Sequence, residues 1–116
     1  MMIDFSSVEA VSHTNFKGGT GSVTMQAVDD GSVRVMRATL HPHSSLGLHR
    51  HMGDAEVAYV LSGTGRIIDD GIERPLTPGA LTYCPNGKEH QIVNDGDEDL
   101  VVLAVIPRLS DEHPAE

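Results

Sequence analysis

The feature that most restricts this chain's fold is the rhythm of its turns. Asp29-Asp30-Gly31, Asp69-Asp70-Gly71, Thr77-Pro78-Gly79, Pro85-Asn86-Gly87 and Asn94-Asp95-Gly96-Asp97 cut it into short segments. Glycine tolerates positive φ, proline presets φ, and Asp or Asn bonds its own backbone, so such clusters end extended chain. Between them lie runs that read as strands: Ser22 to Val28, Val33 to Leu40, Glu56 to Leu61, Gly65 to Asp69, Ile72 to Leu76, Ala80 to Cys84, His90 to Asn94 and Leu100 to Ile106. No segment keeps an apolar stripe of helical period for three turns. The pattern predicts an all-β sandwich or barrel. With 116 residues, one domain over 1–116 is expected, without repeat or linker. Aromatic residues make up only 3%, so the core must come from Val, Leu, Ile and Met.

Alternation assigns faces within these runs. Met36, Ala38 and Leu40 should point inward, and Arg37, Thr39 and His41 outward. Glu56, Ala58 and Val60 share one face; so do His90, Ile92 and Asn94. The Leu100 to Ile106 run is the most apolar and predicts a buried strand. At the start, Ser6-Ser7-Val8-Glu9 has the form of a helix capping box, although an edge strand fits equally well. Asn15 to Gly21 holds Gly18, Gly19 and Gly21 but no Gly-Lys-Ser/Thr, and no helix pattern follows. It therefore reads as a flexible loop and not a phosphate cradle. Leu109 to Glu116 reads as a tail.

Charge excludes some partners. Eight basic against 17 acidic residues give −9, which repels nucleic acid. The acidic groups near Asp95–Asp99 and at the chain end read as a solvated loop and tail. No apolar run approaches the roughly 20 residues of a membrane span. Met1-Met2-Ile3-Asp4-Phe5 has neither the basic nor the apolar region of a secretion signal, so the cytoplasm is the expected location. Cys84 is the lone cysteine; it has no internal disulfide partner and is expected to be a small apolar residue on a strand.

Seven histidines are present, and His41, His43, His49 and His51 fall within eleven residues. His49 and His51 are two apart, so an extended chain aims both imidazoles at one side. Glu56 follows a break at Gly53 and can return a carboxylate to the same point. His90 offers a third imidazole from far downstream. Either histidine of the pair alone reads as a surface residue on a polar turn. Together with Glu56 and His90 they predict a site for one divalent transition-metal ion. His41, on the outward face, is not expected to be a ligand.

Two stretches carry a family resemblance. His49-x-His51-x4-Glu56-x6-Gly63 and Gly79-x5-Pro85-x-Gly87-x2-His90-x3-Asn94 resemble the two signature motifs of the cupins, small β-barrel proteins. The second matches at every position. The first departs once: the glycine expected six residues before the first histidine is His43, with Gly47 nearby. The glycine-rich segment around Thr20 also resembles small single-domain cupins described as oxalate-decarboxylase-like. The resemblance spans about 33–106, leaving a short N-terminal arm and a C-terminal tail. It implies a double-stranded β-helix, or jelly roll, with a metal inside one end. His49, His51, Glu56 and His90 are the implied ligands. Gly63, Gly79, Pro85 and Gly87 are implied turn positions, and Asn94 is structural. A homodimer is the implied assembly.

Four protein ligands leave two positions on an octahedral ion for water, dioxygen or a substrate. The carboxylate favours Mn or Fe, with Zn, Ni or Co also compatible. A structural zinc site would be closed and often cysteine-rich, which one cysteine does not supply. The inward neighbours expected near the ion are Arg34, Met36, Ala38, Ala58, Val60, Ile92 and Asn94. Most are apolar, which disfavours a highly charged sugar phosphate. Tyr59 should face away, while Tyr83, His43 and Arg50 are candidates for the rim; no residue is assigned as a general base. The expected function is metal-dependent catalysis on a small oxygenated substrate, a carboxylate or sugar acid, by decarboxylation, dioxygenation or isomerisation. The alternatives are a non-enzymatic ligand-binding or sensor barrel, and a barrel whose metal is mainly structural.

Overall fold

The computed structural model describes residues 1–109. The strands are β1 (Val11–Thr14), β2 (Ser22–Asp29), β3 (Val33–Leu40), β4 (Ser44–Ser45), β5 (His49–Arg50), β6 (Glu56–Ser62), β7 (Gly65–Asp69), β8 (Ile72–Leu76), β9 (Leu81–Cys84), β10 (Glu89–Asn94) and β11 (Leu100–Pro107). All pair antiparallel. One sheet runs β1-β2-β3-β11-β6-β9; the other runs β4-β10-β7-β8, with β5 also on β10. This is the expected all-β double-stranded β-helix. No helix among the described residues is long and apolar enough to cross a membrane.

The core lies between the sheets, as alternation predicts. Met36, Ala38 and Leu40 are buried, as are Ala58, Val60, Ile92, Val102 and Ala104. Arg37 is exposed and Thr39 half-buried. The turns behave as local chemistry requires. Asp70 and Gly71 have φ of 49° and 87°, the pair of positive values that a two-residue hairpin needs to match strand twist.

Three local expectations change. The first turn, Phe5–Ser7, is a 3-10 helix capped by Asp4, whose carboxylate accepts from the Ser6 N–H; Ser6 is inside it and does not cap. Residues 15–21 are not a free loop. The Phe16 carbonyl accepts from the N–H groups of Gly19 and Gly47, each at 2.9 Å. The backbones approach so closely that a Cβ on Gly19 would overlap the Ser45 carbonyl, and one on Gly47 the Lys17 carbonyl. Glycine here permits close packing, not mobility. His43 has φ of 56°, a left-handed value. The position where the cupin pattern has glycine takes a conformation that glycine adopts freely, and histidine carries the steric cost. Of the expected tail, residues 110–116 lie outside the described residues.

Candidate metal centre

The two sheets meet at the ligand cluster. His49 on β5 lies directly opposite His90 on β10, so both rings leave the smaller sheet side by side. His51 follows one residue beyond β5, and its N–H is held by the Lys88 carbonyl at 2.9 Å. Glu56 opens β6 in the larger sheet. The structure thus brings together all four residues expected as ligands. His51, Glu56 and His90 are buried, and His49 is half-buried.

Their ligand atoms lie within 4.8 Å of one another. Nε2 of His90 is 3.1 Å from Nε2 of His51 and 3.2 Å from Nε2 of His49. Oε1 of Glu56 is 3.0 Å from His51 Nε2 and 3.1 Å from His90 Nε2. Adjacent ligands of an octahedral ion with bonds of about 2.1 Å lie about 3.0 Å apart, so these spacings fit a first-row ion. The tautomers of His49 and His51 fit as well. Gly47 O can only accept, so Nδ1 of His49, 2.7 Å away, carries the proton and Nε2 offers its lone pair. Nδ1 of His51 meets Oδ1 of Asp54 at 2.8 Å, again turning Nε2 inward. Neighbouring lone pairs repel unless a cation lies between them.

Electrostatics follow from this crowding. Without a metal ion between them, burial pushes the Glu56 carboxyl up, but hydrogen bonds from His51 and His90 outweigh it and hold the group at about 2. The bond to Glu56 raises His51 against its burial, with Asp54 adding to the rise. Burial lowers His49 against the opposing hydrogen bond to Gly47, and the neighbouring charges of His90 and Lys17 lower it further. Cys84, opposite Glu56 on β9, is buried and its thiol is pushed up to about 11, first by burial and then by Glu56. It is an inert thiol.

The cluster borders a cavity of about 410 Å³ lined by residues that include Phe16, Lys17, Arg34, Met36, Asp54 and Arg108. This corrects several expectations. Of the inward neighbours, only Arg34 and Met36 reach the cavity; Ala38, Ala58, Val60, Ile92 and Asn94 are buried in the core away from it. The lining is mixed: Phe16, Met25, Met36, Leu46, Met52 and Ile106 supply apolar surface, while Lys17, Arg34, Arg50 and Arg108 bring cations and Asp29 and Asp54 bring carboxylates. Arg50 does reach the rim. Tyr83 does not: it is 59% exposed on the outer face of β9, opposite Val57. Tyr59 faces outward as expected. His43 pairs with Asp97 at 2.9 Å, and His41 bonds Thr24 and Asp99, so neither is a ligand. Sequence reasoning missed Asp54, which the three-residue interval from His51 could have revealed. It also missed Phe16, Lys17, Asp29 and Arg108, which carry no local signal.

Known proteins share these features. A family model described as a cupin domain matches residues 36–106. The chain is 35% identical over 112 residues to an oxalate-binding protein of Thermotoga maritima, covering 91% of this chain and 93% of that protein. A crystal structure of a predicted oxalate decarboxylase from Thermotoga maritima superposes with a TM-score of 0.88 at 35% identity, covering 94% of this chain and 100% of that one. A glucose-6-phosphate isomerase of Pyrococcus horikoshii is 36% identical over 64 residues, 51% of this chain but only 34% of the isomerase. Matching motifs, matching topology and a family model over most of the chain agree: this protein belongs to the cupin family.

Proposed function

We propose that this protein binds one divalent transition-metal ion through His49, His51, Glu56 and His90 and acts on a small oxygenated acid at the positions they leave open. The observation that carries this reading is the convergence of four ligand atoms within 4.8 Å beside an open cavity. Manganese or iron suits the mixed imidazole and carboxylate set. When bound, the ion supplies a Lewis acid that polarises an oxygen of the ligand. The chain's own part is to orient the imidazoles through Gly47 and Asp54 and to surround the ligand with cationic side chains. A small carboxylate of the oxalate class fits that charge, and the Thermotoga oxalate-binding protein supports it.

A second reading, binding without turnover, has one observation in its favour. Both lining carboxylates outside the cluster are already engaged, Asp54 with His51 and Asp29 with Arg108, so neither is poised as a general base. Elemental analysis of protein purified without added metal, followed by titration of the Mn²⁺ form with oxalate while CO₂ release and O₂ uptake are monitored, tests both. One equivalent of metal, lost in His49→Ala, is expected. Product release supports catalysis, and tight binding without product supports the second reading. No metal in the wild type, and no change in His49→Ala, would defeat both.

We also propose that two copies pair through the outer face of the larger sheet. Tyr59 lies opposite Leu81, and Val57 opposite Tyr83, so the four share that face. Leu81, Tyr83 and Tyr59 are 64%, 59% and 41% exposed.

A further inference from the structure

Among the four cations that line the cavity, three already have carboxylate partners. Arg108 grips Asp29 with two bonds of 2.7 Å. Arg34 lies 3.9 Å from the same carboxylate, and Arg50 lies 3.7 Å from Glu89. Lys17 has no carboxylate partner among the described residues. Its ammonium lies 5.5 Å from the ring centroid of Phe16, which also lines the cavity. That contact holds the charge beside an aromatic face without neutralising it.

The backbone beneath Lys17 is pinned by hydrogen bonds and close packing. Its φ is 53°, a left-handed value that non-glycine residues seldom adopt. The Phe16 carbonyl is bonded by both Gly19 and Gly47, and the Lys17 carbonyl is packed against Gly47. Gly47 in turn orients His49 through its own carbonyl. The segment that presents Lys17 is therefore locked to the segment that presents a metal ligand.

We propose that Lys17 is the specificity-determining residue for a doubly charged acid: it takes the negative charge that the metal does not. This rests on the metal and acid reading above. Oxalate held by the ion would keep carboxylate oxygens that the ion does not bind, and among the described residues Lys17 is the one lining cation without a carboxylate partner. Its monoamide, oxamate, has nearly the same shape and one charge fewer, and gains much less from Lys17.

The test is calorimetric titration of Mn²⁺-loaded wild type, Lys17→Met and Lys17→Arg with oxalate and with oxamate, after Mn²⁺ affinity is measured for each. Methionine keeps the unbranched stem, and arginine restores the charge. Lys17→Met should weaken oxalate about tenfold, as expected for losing a charge-assisted contact, and oxamate less than about twofold. Lys17→Arg should recover most of the oxalate loss, with all three proteins compared at full Mn²⁺ occupancy. Equal losses for the two acids, or none, would overturn the role of Lys17 while leaving the metal and acid reading intact. A wild type that takes up Mn²⁺ but binds neither acid would overturn both.

Discussion

Asp54 orients His51. Its Oδ1 lies 2.8 Å from His51 Nδ1, while the other nitrogen of the same ring lies 3.0 Å from Glu56 Oε1. The ring is thus held between two carboxylates, one part of the ligand cluster and one behind it. Carboxylates behind ligating histidines set ring orientation and raise basicity, and their loss weakens metal binding by about 10–100-fold. Asp54→Ala should therefore bind Mn²⁺ about 10–100-fold more weakly, while its metal-free stability falls on the acid side, where His51 is charged, and changes little on the alkaline side. Competition titration against a metal-binding dye measures this; wild-type affinity in the variant would show that Asp54 does not orient the ligand.

Metal removal should expose a pH dependence with two edges. Glu56 is held at about 2 against an ordinary 4.5. Its contribution is full above about pH 4.5 and disappears as pH falls toward 2. His51 is raised above its ordinary 6.5, chiefly by Glu56. Its contribution is full below 6.5 and is lost as pH rises through the higher folded value. The metal-free protein should be most stable between these edges and weaken on the alkaline side. With Mn²⁺ the alkaline loss should reverse, because the ion replaces the proton and binds more tightly as the imidazoles deprotonate. Urea unfolding across this range, with chelator and with Mn²⁺, checks the contrast; parallel curves would contradict it.

Asn94 should matter to the fold and not to the ion. It is 1% exposed. Its Nδ2 donates to the carbonyls of Leu40, His41 and Glu98 at 2.9, 3.1 and 2.7 Å, and its Oδ1 accepts from Gly96 N–H at 3.1 Å. Asn94→Leu leaves buried carbonyls unpaired at a cost of about 2–4 kcal/mol. The expected result is a lower unfolding free energy with metal stoichiometry retained. Lost metal with unchanged stability would instead assign Asn94 to the site.

The exposed outer face predicts the assembly. Sedimentation should give twice the chain mass of 12.4 kDa. Tyr59→Glu combined with Leu81→Glu should return it to one chain mass with Mn²⁺ binding intact, because neither residue lines the cavity. A wild type that sediments as a monomer at high concentration would remove the proposal.

Much of the architecture was legible because it is written locally. Asp70-Gly71 signals a hairpin turn from two residues alone, and alternation over β3, β6 and β10 sorts core from surface. The same two-residue period aligned His49 with His51, and the spacing of Glu56 and His90 matched the cupin motifs. The cavity wall was not legible. Period and turn chemistry describe what neighbours in the chain do, whereas the wall is made by segments distant in sequence. The glycine-rich stretch looked mobile because glycine permits mobility; only its contact with residues 45–47 shows that glycine serves close packing there.

The sequence by itself determined an all-β chain and the four side chains able to meet at one ion, because both follow from backbone period and residue chemistry. Tertiary structure alone decided what surrounds that point. Arg108 meets Asp29 across 79 residues, and Lys17 reaches the cavity because two backbones approach where no Cβ intervenes. Such meetings depend on how the sheets and loops close on one another, and no local pattern encodes them.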